Sequence, residues 1–519
     1  MKAPAEEFHL CSEPWLPCTD RAGNVVHLGL VEALTRAHEL KGLSEPSPLV
    51  TAALTRFLLA IIHRSIDGPK TMAAWVDLAK QGRFPEAKVR DYLHRVRDRL
   101  DLFDPVRPFA QVRGLDVEAA DPSTLLTPRS NWGAGTGLFN HRPTGKGAPL
   151  EPAVAARWLI ARQSFDVGGL VSGRPKSATA GPLTATAVIL VRGETLFESL
   201  ACNLLVYDPS RDVPIPGGRE DLPHWEQAPQ LADMRCSDEP KRVPLGWLDA
   251  LTWLSRRIEL VVDSGMVVGW KRAAWQGQAA EAARDPMVAW TADPKNGWRA
   301  ARIDSGRAFW RSSHALFQSV EQGEALHQRP RALAQLASRE ARAVVPANRR
   351  FTITALGIAT DKASVELERS DEVHAAASLL GDADAAAEVR RATTTLDSVF
   401  RVLRDGLRYF AKLALAPGGR DPDAEDVSRL VTSLGVEPAY WASCEAVFSS
   451  FLDRLSAQQA EVAHKELLGA AIEIARAGYS RAIASLGEQA RMRRAAAIAA
   501  AKFRRQLGAV SSPREVASS

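Results

Sequence analysis

The texture of the chain changes near residue 370, and that change constrains the fold more than any motif does. From 371 to 519 the sequence is alanine-rich and reads as helical patterns at roughly 373–415, 422–434, 438–456, 458–486 and 488–507. Breaks fall at Gly418-Gly419, at Gly435 and near Gly487. Apolar residues recurring at helical spacing give each segment a stripe that must be buried against another element. The segment therefore predicts a helical bundle. Its charge is uneven: residues 371–487 carry 12 basic against 17 acidic residues, while 488–519 carry 7 against 2. The last helix is basic, with Arg491, Arg493, Arg494, Lys502, Arg504 and Arg505. It reads either as a solvated face or as an edge that tracks phosphates.

Residues 1–370 have a different texture. A short hairpin is expected over 8–28, with FHL, a turn containing Asp20 and Gly23, then VVHL. Helical patterns follow at about 29–40, 48–65, 71–81 and 85–100, and another at 151–163. Ser47-Pro48 is a sound helix start, with proline at the first helical position. LTATAVILV (183–191) alternates like a strand, and further strand signals lie at 257–262, 265–270 and 351–358. Eight of the thirteen Trp lie between Trp225 and Trp310, interleaved with Lys271, Arg272, Lys295, Arg299, Arg302, Arg307 and Arg311. Such a mixture suits stacking on bases and contact with phosphates, or else a core built on large aromatics.

Two glycine-rich stretches stand out. NWGAGTGLFNHRPTGKG (131–147) fails as a dinucleotide fingerprint, because Leu138 stands where the third glycine belongs. It fails as a Walker loop too, since Asn140 precedes and Gly147 follows the Gly145-Lys146 pair. A long, basic, pliable loop remains, with Phe139 at its centre. FDVGGLVSG (165–173) is the second stretch, and its Ser172 is misplaced for a nucleophile elbow. No H-E-x-x-H helix and no EF-hand loop occurs, and the five Cys form no C-x-x-C pair. No metal or cofactor is expected, and the missing motifs lower the expectation of an enzyme without excluding one. The net charge of +5 permits a nucleic-acid partner without requiring one. MKAPAEEFHL lacks the apolar core of a signal peptide, and the aliphatic run Phe57 to Ile62 is short of a membrane span, so a cytoplasmic location is expected.

Several blocks together resemble one family. FHLCSEPWLPC (8–18), LSEPSPLVTAALTRFLLAIIHR (43–64), FDPVRPFAQV (103–112), NWGAGTGLFNH, GGLVSG, PLTATAVILVRGETLFESLACNLL (182–205) and ITALGIATDKASVELE (353–368) stand in the order of the CasA family. That family is the large subunit of Cascade, the type I-E CRISPR surveillance complex. The resemblance implies an α+β protein: a large mixed N-terminal domain of unusual fold over 1–370, and a C-terminal four-helix bundle over 371–519 with a basic last helix.

The resemblance also implies a non-catalytic role, that of a protein that is not an enzyme, and a set of sites. Guide RNA reads the target by pairing, and the large subunit finds the short protospacer-adjacent motif in duplex DNA from the minor groove, where base patterns are degenerate. It initiates strand opening, and the assembly recruits a helicase-nuclease. Partners would be guide RNA, double-stranded target DNA, other Cascade subunits and that nuclease. Leu138, Phe139 and Asn140 occupy the place of the family's guide-RNA anchor. Gly168, Gly169 and Lys271 would read the motif. Asp361 and Lys362 would form the strand wedge, with lysine where the family has glutamine. Arg491, Arg493, Arg494, Arg504 and Arg505 would contact phosphates. Asp166, beside the glycine pair, would repel phosphate unless it points away. The alternatives are a soluble enzyme with a glycine-rich ligand loop and a helical C-terminal domain, or the large subunit of another type I system.

Overall fold

The computed structural model describes residues 7–126, 147–171, 177–208, 221–228, 241–279, 284–295, 297–317, 327–361, 364–382, 384–416, 421–486 and 490–511. The chain separates into two compact units. One comprises Met1–Phe309 with Gln318–Glu372, and the other Trp310–Phe317 with Val373–Ser519.

The first unit is organised around the helix Pro48–Ile66. Proline at its first turn and a left-handed Asp67 at its end set its limits. It is long and apolar enough to cross a membrane by length and composition. Within this fold it is a core helix, with fourteen of its nineteen residues buried. The charge on Arg56 is accommodated inside the core by Asp285 at 2.9 Å and the Ala250 carbonyl at 3.1 Å. Its guanidinium also lies 5.4 Å from the Trp247 ring. A buried charge survives only with such partners.

Strand structure among the described residues is divided into three three-stranded sheets and three two-stranded ladders. The N-terminal hairpin is shifted from its expected position. Leu16–Asp20 pairs with Val25–Leu28 around the expected turn, and Leu40–Leu43 adds a third strand. LTATAVILV is strand only over Val188–Arg192, because Thr184 and Thr186 turn back on the chain through hydrogen bonds to the carbonyls of Asp166 and Leu183. Val188–Arg192 pairs antiparallel with Arg350–Asp361, which lies between it and Ser364–Ala376. A second long hairpin joins Arg256–Asp263 to Met266–Ala274.

Among its described residues the second unit has four long helices, Ala385–Leu415, Val436–Ser456, Ala460–Ala484 and Ala490–Ser511, with shorter ones including Ala424–Ser433. The molecule is thus an α+β protein ending in a helical bundle. The helix expected from 373 begins later, since residues 373–376 complete a strand and a short helix, Ala377–Leu380, follows. Burial along Ala385–Leu415 runs Val389, Ala392, Leu396, Val399, Leu403, Phe410 and Ala414, the spacing of one helix face. Trp310 and Arg311, from far earlier in the sequence, belong to this core. The Trp310 ring lies 4.8 Å from Phe448 and 6.1 Å from Trp441, and the Arg311 guanidinium sits 3.4 Å from the Trp441 ring and 2.7 Å from Asp397.

Candidate nucleic-acid interface

Helix Pro152–Phe165 stops at Asp166, whose backbone leaves helical geometry for an extended one. Val167 follows, then Gly168, and the two-residue strand Gly169–Leu170 pairs with Ser177–Ala178. Gly169 has a φ of +132°, where a side chain would be strained. A Cβ on Gly168 would lie 3.0 Å from the Ala180 nitrogen and 3.2 Å from the Ala178 carbonyl oxygen. The backbone therefore demands glycine at 169 and leaves tight room for a side chain at 168. Leu170, beside them, is 83% exposed.

The base of this hairpin is fixed by Asp166. Its carboxylate is fully buried and meets three guanidiniums: Arg162 at 2.8 Å, Arg256 at 2.7 Å and Arg272 at 2.8 Å. Burial pushes the carboxyl up, but Arg162, Arg272 and Arg256 outweigh it and hold it below the usual carboxylate range. The Asp166 carbonyl accepts from Gly181 N at 2.7 Å, Thr184 Oγ1 at 3.0 Å and Arg256 at 3.3 Å. Arg256 also donates to the Val167 carbonyl at 3.2 Å. Trp270 forms the wall of the cluster, with the guanidinium of Arg162 at 4.8 Å and that of Arg272 at 5.7 Å. The phosphate-repelling Asp166 considered from sequence is turned inward and over-neutralised.

Lys271 is the counterpart on the other face. Residues alternate across a strand, so Trp270 and Arg272 share one side of Met266–Ala274 and Lys271 takes the opposite one. Its Nζ donates to the Leu115 carbonyl at 3.0 Å and pairs with Glu259 at 3.2 Å, its cross-strand neighbour. The sequence reading groups Lys271 with Gly168 and Gly169. The cation that this strand brings to the hairpin is Arg272.

The remaining candidates separate. Leu138, Phe139, Asn140 and Lys362 lie outside the described residues. Asp361 closes Arg350–Asp361, and the returning strand begins at Ser364. On the last helix, Ala495, Ala499, Phe503 and Leu507 are buried, four residues apart, while Arg494, Arg504 and Arg505 are exposed. Arg491 departs from the expected set, since its guanidinium donates to the Ala414 carbonyl near the end of another bundle helix. Arg493 is likewise engaged. The tryptophan-rich region resolves mainly as core: Trp225, Trp247, Trp253, Trp270, Trp275 and Trp310 are buried.

The sequence pattern of the family described as CRISPR-associated protein Cse1 matches residues 9–478. The chain belongs to the Cse1 family. A CasA/Cse1 protein of Thermus thermophilus is 32% identical to this Cse1-family chain over 513 residues, covering 97% of this chain and 98% of the relative. The crystal structure of Thermus thermophilus CasA superposes with a TM-score of 0.81 at 29% identity, over 97% of this chain and 100% of that one. Thermobifida fusca Cse1 gives 0.80 at 25% identity, over 98% and 99%. A chain of a CRISPR RNA-guided surveillance complex shares the fold, with a TM-score of 0.69 at 22% identity over 98% of this chain and 100% of that one. Among the described residues no group of three or more His, Cys, Asp or Glu is placed to hold a metal. Burial raises the thiols of Cys11, Cys18 and Cys202 to about 12 and that of Cys444 to about 11.

Proposed function

We propose that this chain is the non-catalytic large subunit of an RNA-guided surveillance complex, which recognises a short motif in duplex DNA and starts strand opening beside it. The observation that carries the reading is the match of the Cse1 family along residues 9–478, which includes the Gly168-Gly169 hairpin. Backbone without side chains at two successive positions suits entry into a minor groove, and the neighbouring exposed Leu170 suits the apolar sugar walls. Readout there is largely of A·T against G·C, so a short and permissive motif is expected.

In this reading Leu138, Phe139 and Asn140 anchor the subunit on guide RNA, with Phe139 stacking on an unpaired base. Lys271 serves the groove by exchanging Glu259 for a base acceptor. Asp361 and Lys362 lie at the wedge that separates the first base pair. Arg494, Arg504 and Arg505 lead the phosphate contacts of the bundle, with Arg491 and Arg493 secondary. The cytoplasmic complex then recruits a separate helicase-nuclease.

The deciding experiment assembles the complex on a guide RNA, with and without this subunit. Affinity is measured for duplexes that share one target and differ only in the adjacent motif. Motif-dependent affinity that appears only with the subunit supports the reading. Equal affinity for all motifs in both assemblies, or substrate turnover by the isolated chain, would sink it.

A further inference from the structure

Four side chains from two parts of the first unit converge on the base of the glycine hairpin. Asp166 is joined to the glycine pair through Val167 alone, so its position sets the direction in which the pair leaves the helix. Arg272 reaches it from the long strand Met266–Ala274, with one guanidinium nitrogen 3.0 Å from Oδ1 and 2.8 Å from Oδ2. Arg162 and Arg256 are themselves buried and complete the shell. Arg272 is the outermost member, with 16% of its side chain exposed. One carboxylate thus ties three guanidiniums, one from a helix and two from the long hairpin, to the base of the glycine hairpin.

We propose that the Arg272–Asp166 pair is the positioning element that sets motif selectivity, by fixing the angle at which Gly168 and Gly169 are presented. The inference rests on the motif-reading function proposed above. Arg272 is a positioning residue here, acting on DNA bases through Asp166 and the hairpin backbone. Its peripheral place makes it separable from the fold: the Arg256–Asp166 and Arg162–Asp166 pairs persist when Arg272 is replaced.

The test uses assembled complexes carrying Arg272→Gln, Arg272→Lys or Gly169→Val. Each is titrated with duplexes bearing the preferred and a disfavoured motif, and with guide-complementary single-stranded DNA that needs no motif. Losing a charge-assisted hydrogen bond corresponds to about tenfold in an equilibrium constant. Arg272→Gln is expected to lower the preferred-to-disfavoured affinity ratio about tenfold while single-strand affinity stays unchanged. Arg272→Lys, which keeps one charged donor, should recover part of the ratio. An unchanged ratio in Arg272→Gln, alongside a collapsed ratio in Gly169→Val, would overturn the positioning role and leave the hairpin reading intact. Unchanged ratios in both variants would overturn the hairpin reading as well. Parallel loss of single- and double-strand binding in Arg272→Gln would reduce Arg272 to a structural residue and overturn the proposal.

Discussion

Arg256 donates from Nε to Oδ2 of Asp166 across 2.7 Å, and neither side chain reaches solvent. The two residues stand 90 positions apart and join the end of one helix to the start of a long hairpin. Removing Arg256 takes away a buried charge-assisted hydrogen bond while Arg162 and Arg272 still hold the carboxylate, at a cost of about 1.5–3 kcal/mol. Arg256→Met should therefore lower the unfolding free energy of the isolated protein by that order. Denaturant titration followed by tryptophan fluorescence measures it. A loss below about 1 kcal/mol, the range of exposed ion pairs, would show that the cluster is solvated in solution.

Acid should destabilise the first unit in a defined window. His63 is 4% exposed, and burial pushes its imidazole down to about 3. Between that value and the ordinary one near 6.5 the unfolded chain binds a proton that the folded chain refuses, so stability falls as pH falls through this range. The slope expected from this group is about 1.4 kcal/mol per pH unit. Asp166 acts in the same direction at lower pH. Its depressed pKa contributes stability above the unfolded value of 3.8, lost as pH drops through the folded one. Unfolding free energies from pH 7 to 4 should show this slope together with a like one from His224, which burial also pushes down to about 3, and His63→Met should remove about half of it. An identical slope in that variant assigns the acid lability elsewhere.

Gly406 is expected to be intolerant of enlargement. A Cβ there would lie 3.0 Å from Phe503 Cδ2 and 3.3 Å from its Cβ, so a side chain at 406 would press on Phe503 of the last helix, which would have to give by a few tenths of an ångström. Overpacking of this kind costs about 1–3 kcal/mol. Gly406→Val should lower the melting temperature, and Gly406→Val with Phe503→Leu should regain part of it. If the double variant is no more stable than the single one, the contact does not limit the packing.

The basic face gives a prediction in salt. Three exposed arginines that each meet a phosphate change the slope of log affinity against log salt by about 0.9 apiece. Replacing Arg494, Arg504 and Arg505 with alanine in the assembled complex should reduce that slope by about 2.7 for every DNA sequence alike. Arg491→Ala should act on stability instead, because its guanidinium is engaged by the Ala414 carbonyl. A slope unmoved by the triple variant would assign these arginines to solvent or to protein partners.

The anchor and the wedge are tested by substitutions of different kinds. Phe139→Ala with Asn140→Ala should weaken incorporation into the RNA-bearing complex, since one stacked base is worth about 1–3 kcal/mol. Unchanged affinity for the complex lacking this subunit would remove the triplet from the anchor. Lys362→Ala should slow the opening of paired DNA while sparing a pre-melted target, and Lys362→Gln should retain most activity. Equal losses on both targets would leave Lys362 as a mere source of charge.

Local signals carried much of this fold. Pro48 after Ser47 announced the core helix, and the apolar spacing from Val389 to Ala414 announced the first long bundle helix. The ends of elements were harder. Residues 373–376 have a helix-friendly composition, yet they finish a strand because tertiary pairing overrides local preference. At the candidate interface, the glycine pair was visible and its support was not. Asp166 depends on Arg256 and Arg272, 90 and 106 residues away, and no spacing rule links such positions. One local signal does bear on the site: along Trp270, Lys271 and Arg272, strand alternation places the outer two on one face and the lysine on the other.

Trp310 bears on how this chain divides under evolution and in the laboratory. It precedes Val373 by more than sixty residues, yet its ring sits among Trp441 and Phe448 in the second unit. A gene fragment starting at residue 373 encodes the helices but omits an aromatic plug from their interior. A single crossover between diverged homologues at that point would likewise pair one parent's plug with the other parent's socket. The second unit is therefore encoded in two separated stretches, and a fragment that keeps it whole must carry Trp310–Phe317 together with Val373–Ser519.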